Sequence, residues 1–110
     1  MGKAVAIIAT LDSKGEEALY LKKQIQRMGY KALLIDVSCK VSSYNFKPEI
    51  SCQEVAEACQ MNMKDIASLP RGEAVEQMSK GVTKIIKKLY LNREIVGVVG
   101  IGGGQGTTIA

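Results

Sequence analysis

The residues able to do chemistry gather near the two ends of the chain. At the C-terminal end an apolar run, Val96-Gly97-Val98-Val99-Gly100-Ile101, leads into Gly102, Gly103, Gly104, Gln105, Gly106, Thr107 and Thr108. Four glycines in five positions free the backbone for positive φ values. Its N–H groups can then turn toward an anion, and the positive end of a following helix adds to the attraction. Phosphate suits such a surface, and Thr107 and Thr108 add hydroxyls at the helix start. Near the N-terminus, Thr10, Leu11, Asp12, Ser13, Lys14 and Gly15 form a polar break behind a second apolar run. Lys14 offers a mobile cation to a phosphate. Asp12 offers a carboxylate to a magnesium ion or a ribose hydroxyl. The plainer alternatives are a tight strand-to-helix turn for the glycines, a solvated helix start for Lys14 and a local capping carboxylate for Asp12.

The glycine loop matches neither of two familiar nucleotide patterns. Counted from Gly100, a Gly-x-Gly-x-x-Gly fingerprint puts Gln105 in its last slot, and no Gly-Lys-Ser/Thr closes the loop. The chain has no histidine, which excludes Ser-His-Asp and Cys-His catalysis and histidine metal sites within it. Cys39, Cys52 and Cys59 are odd in number and unlike a disulfide framework in spacing, which points to a reducing cytoplasm. Cys52 and Cys59 would share a helix face, but two thiols without histidine are half a zinc site, so no metal site of protein ligands is expected. They read as buried or half-buried structural residues.

The remaining bulk properties exclude more than they identify. A net charge of +4 is too mild to indicate nucleic acid. Lys80, Lys84, Lys87 and Lys88 lack interleaved aromatics and read as a solvated helix face. No apolar run approaches the roughly 20 residues that cross a bilayer. Met1-Gly2-Lys3 leads straight into a β-like run, with no signal-peptide pattern.

Strand and helix alternate in the elements that carry these residues. Residues 3–10 read as a strand, continuously apolar from Ala4 to Ala9 as in a parallel sheet covered on both faces. Ser13 with Glu16 fits a capping box opening a helix to about Met28, with Ala18, Leu21, Ile25 and Met28 on one face and Gly29 as its stop. Residues 31–37 form a second strand, and residues 38–48 an extended loop. Ser51 and Glu54 cap a short helix over 51–60, whereas 61–69 shows no firm period. Pro70 opens a helix over 71–91, marked by Val75, Met78, Val82, Ile85, Ile86 and Leu89 and closed by Asn92. Arg71 opposes the dipole there, and so pairs with a carboxylate such as Glu73 or reaches a ligand. Residues 95–101 form the third strand.

This order predicts a single α/β domain over residues 1–110. The architecture is three-layered, with Rossmann- or flavodoxin-like winding, strand order 2-1-3 and helices on both faces of a parallel sheet. Ligands of such sheets bind where the winding reverses, here between the first and third strands. The loops that border this point are residues 10–15 and 102–108.

Three motifs taken together resemble a known family. Residues 10–17 (Thr-Leu-Asp-Ser-Lys-Gly-Glu-Glu), Arg71-Gly72-Glu73-Ala74 and residues 100–107 (Gly-Ile-Gly-Gly-Gly-Gln-Gly-Thr) are similar to those of uncharacterised bacterial and fungal proteins related to the plant tomato mosaic virus resistance protein, described as ATP-binding. The resemblance spans essentially the whole chain and only the N-terminal portion of the longer family members. It implies an ATP-binding α/β domain, normally followed by a second α/β domain, in a dimer; Mg2+ enters as a cofactor only through the Asp12 carboxylate. Asp12, Ser13, Lys14, Arg71 and residues 102–107 fall in its motifs. Gln105 stands where such loops more often carry serine or glycine. The expectation is a truncated cytoplasmic nucleotide-binding module, regulatory or substrate-binding in role. The alternatives are part of a phosphoryl- or acyl-transfer enzyme and a non-catalytic oligomerising fragment.

Overall fold

The computed structural model describes residues 3–39 and 48–101, with the backbone alone at residues 12 and 13. Among these residues the elements are β1 (Ala4–Ala9), α1 (Leu11–Arg27), β2 (Lys31–Asp36), α2 (Cys52–Ala58), α3 (Met63–Ser68), α4 (Arg71–Leu91) and β3 (Ile95–Ile101). The strands pair in parallel in the order β2-β1-β3, as the alternating pattern predicts. Side chains alternate across β1 and feed two cores. Ile7 and Ala9 join Leu34 against Ala18 and Ile25 of α1. Ala4, Ala6 and Ile8 join Ile35 against Val55, Ile66, Met78 and Val82. A central strand needs apolar residues at every position, and β1 supplies them.

The start of α1 departs from expectation. Instead of a polar loop and a helix capped by Ser13, α1 begins at Leu11, directly behind β1. Its first turn closes because the Lys14 N–H donates to the Thr10 carbonyl (2.8 Å) and the Leu11 N–H donates to the Asp36 carboxylate (3.2 Å). The break survives as a kink at Lys14 (φ −122°, ψ 24°). The far end closes as the glycine predicts. Gly29 takes φ 89°, its N–H donates to the Gln26 carbonyl (3.0 Å), and the Tyr30 N–H donates to the Ile25 carbonyl (3.3 Å). Met28, expected on the buried face, is 67% exposed because it caps the helix where the stripe has already ended.

The connection to α4 is more helical than the sequence suggests. Ser51 and Glu54 form the expected capping box on α2 (3.2 Å in both directions). A second box, in which Asn62 accepts from the Asp65 N–H (2.8 Å) and Asp65 from the Asn62 N–H (3.3 Å), starts α3 inside the stretch without a period. The expected loop over 38–48 falls mostly outside the described residues.

Helix α4 has the expected bounds, and its buried stripe includes Gly81 beside Met78 and Val82. A Cβ at Gly81 would run into the Val55 carbonyl oxygen, so α2 and α4 approach closely only because this position is glycine. Gly81→Ala therefore lowers stability by roughly 1–3 kcal/mol through overpacking, although alanine favours helix by about 1 kcal/mol. Gly72→Ala, where a Cβ meets nothing within 4 Å, leaves stability unchanged or raises it. Urea unfolding of the two variants compares them, and equal midpoints would contradict the close-approach reading.

Candidate functional site

Ala9 and Ile101 are register partners in neighbouring parallel strands, so the chain leaves β1 and β3 side by side at the carboxyl edge. The winding reverses between them. Helix α1 leads away over one face toward β2, and α4 returns over the other toward β3. Behind Ala9 the chain turns at once into α1. Its Leu11 N–H is taken by Asp36, and the N–H groups of Asp12 and Ser13 have no carbonyl to reach within the helix. They face the same edge. Lys14 follows, with its side chain 39% exposed and its ammonium 3.9 Å from Glu17, a loose pair that contributes little to stability.

The other half of the expected site is partly out of view. Gly102, Gly103, Gly104, Gln105, Gly106, Thr107 and Thr108 lie outside the described residues, as do the side chains of Asp12 and Ser13. Arg71 is exposed at the start of α4, behind Pro70, whose φ of −55° suits a helix start. Because α4 ends at Leu91, just before β3 begins, its start lies toward the carboxyl end of the sheet, on the face opposite α1. Arg71 and Lys14 thus flank the edge from opposite faces. The four lysines of α4 are exposed, as their spacing predicts. Among the described residues no group of histidine, cysteine, aspartate or glutamate is placed to hold a metal ion.

Asp36 is the site-bordering residue that sequence reasoning missed. It ends β2 and is 2% exposed. One carboxylate oxygen accepts from the Leu11 N–H (3.2 Å), the Ser38 N–H (2.9 Å) and the Ser38 hydroxyl (2.5 Å). The Cys52 thiol, at the start of α2, also hydrogen-bonds to this carboxylate. Burial first, and the Asp36 charge second, push that thiol up from 9.0 to about 11. One carboxylate therefore joins the start of α1, the end of β2 and the start of α2. The available signal was a lone acid closing the apolar run Ala32-Leu33-Leu34-Ile35 at the carboxyl edge of the sheet.

Two outcomes follow from this cluster. A thiol whose pKa is higher in the fold favours the folded state while it keeps its proton. That contribution is complete below pH 9.0 and is lost as pH rises through about 11. Iodoacetamide at pH 8 therefore modifies half-buried Cys39 and Cys59 before Cys52, as read by peptide mass spectrometry. Asp36→Ala orphans several buried donors, costs roughly 2–4 kcal/mol, and brings Cys52 labelling to lower pH. Unchanged stability and labelling in that variant would contradict the arrangement.

Residues 3–110 match the family described as "Uncharacterised protein family (UPF0261) N-terminal domain". A UPF0261 protein of Clostridium tetani is 38% identical over 111 residues, covering 100% of this chain and 27% of its own length. UPF0261 proteins of Brucella suis and Rhizobium meliloti are 30% and 31% identical over 107 and 108 residues, covering 96% and 97% of the chain. The chain spans about a quarter of the length of these relatives (27%, 25% and 26%). It belongs to the UPF0261 family, its residues 3–110 matching that family's N-terminal domain.

Proposed function

We propose that this domain binds a nucleotide, with ATP as the occupant its motif resemblance suggests, and holds the phosphates between residues 10–15 and 102–108. The observation that carries the reading is the register of Ala9 with Ile101, which starts both segments from adjacent points at the reversal of the winding. Each segment brings groups suited to phosphate. The first offers the Asp12 and Ser13 amides at a helix start and the Lys14 ammonium. The second offers the backbone of Gly102, Gly103, Gly104, Gln105 and Gly106 with the hydroxyls of Thr107 and Thr108. Asp12 is suited to a Mg2+ ion on the phosphates, and Arg71 to the far side of the ligand. Without histidine the chain offers no Ser-His-Asp or Cys-His pair, and we favour a regulatory or substrate-binding module over a catalytic one. Cys39, Cys52 and Cys59 form no disulfide among the described residues, which suits a reducing, cytoplasmic setting. No helix of the described residues is long and apolar enough to cross a membrane.

The length of the relatives favours one second reading. A phosphoryl- or acyl-transfer enzyme could use this crevice, completed by groups from the rest of a longer protein. Isothermal calorimetry with ATP and Mg2+ tests the binding that both readings require. The parent chain binds with a dissociation constant below about 1 mM, equivalent to roughly −4 kcal/mol. Lys14→Ala weakens binding by about tenfold, the loss of one charge-assisted hydrogen bond, and Gly104→Val abolishes it. Absence of heat at millimolar ATP would sink the proposal. Binding that survives Gly104→Val would place the ligand elsewhere.

A further inference from the structure

We propose that the free edge of β3 is an interior position of a wider sheet, filled by a parallel strand from the part of the family protein that follows this domain. The two edges of the sheet are built differently. At the β2 edge the chain closes on itself. The Ile50 N–H donates to the Leu34 carbonyl and the Asp36 N–H to the Ile50 carbonyl, both at 3.0 Å. The Leu34 N–H donates to the Glu49 carboxylate (2.6 Å), which Lys22 of α1 holds from its other oxygen (2.8 Å). Burial works against the Glu49 charge, but Lys22 and the Leu34 N–H outweigh it and hold its pKa below the ordinary 4.5. A charged plug of this kind blocks further strand pairing.

At the β3 edge the described residues place no such device. No described strand pairs there, and Ile95–Ile101 contains no charge and no proline. The register puts Val98 beside Ala6, on the α4 face, and Val99 beside Ile7, on the α1 face. Both are uncovered, at 41% and 37% exposed, and Val96 is 48% exposed. A strand apolar on both faces is the pattern of a position buried on both, as in β1. Left bare beside unpaired backbone groups, it is an aggregation-prone edge.

The covering strand is assigned to the same protein because of what must be covered. The family match is to an N-terminal domain, and this chain spans 27% of the Clostridium tetani relative. A right-handed crossover continuing outward from β3 lays its helix on the α4 face, over Val98, as its strand takes the edge. A second copy meeting β3 about a twofold axis would extend the sheet but bring no helix over either set of valines.

Hydrogen exchange of the backbone amides across residues 95–101 tests this, in the present chain and in the full-length Clostridium tetani relative. In this chain alternate β3 amides should exchange at least roughly 100-fold faster than those of β1, and the chain should sediment as a monomer. In the full-length relative all amides of the aligned segment should be protected as in β1. Alternate amides that still exchange fast in the full-length protein would overturn the proposal, because the edge would then be open. A dimer of the present chain with those amides already protected, and exposed again by Val98→Lys, would overturn it in favour of a second copy.

Discussion

The buried carboxylate of Asp36 holds together the region on which the rest of the site depends. A charge taken out of water is costly unless hydrogen bonds replace its hydration. Here a backbone N–H from α1, the amide and hydroxyl of Ser38 and the Cys52 thiol supply that replacement. The reverse dependence matters as much. The buried Leu11 N–H has no acceptor within the helix, so the Asp36 carboxylate satisfies it where α1 starts directly behind β1. That start decides which amides face the carboxyl edge.

Packing sets the frame around this polar centre. β1 is apolar on both faces and so takes the middle of the sheet, which brings the ends of β1 and β3 together. On one face α1 covers Ile7 and Ala9. On the other, α4 carries α2 at a distance only Gly81 permits, and α2 in turn presents Cys52 to Asp36. A local packing constraint in α4 is thereby linked to the position of a carboxylate beside the candidate site. The two cores and the polar cluster form one connected structure, with the uncovered valines of β3 at its margin.

Much of the fold was legible in the sequence because it rests on local signals. The run 95–101, the stripe of Val75, Met78, Val82 and their neighbours, the Ser51–Glu54 box and the Gly29 stop each lie within a few residues of the feature they specify. Strand order followed from the apolar density of β1. What escaped depends on distant partners or on short range. Asp36 caps α1 from 25 residues away, so the start of α1 was misplaced and the cluster unseen. Helix α3, six residues long, is too short to show a helical period. Met28 fitted the stripe by spacing but stands past the last turn. The convergence of the two loop starts was legible because it follows from strand order alone. The contribution of the α1 amides was not, because it needs the kink at Lys14 and the Asp36 cap.

Backbone amide NMR during titration with ATP and Mg2+ tests whether the edge between β1 and β3 is one site. If it is, the amides of residues 11–15 and 102–108 shift together and follow a single saturation curve, while the outer face of α4 around Lys84 and Lys88 stays unchanged. Shifts confined to the lysines of α4, or two loops that respond with different affinities, would contradict a shared phosphate crevice.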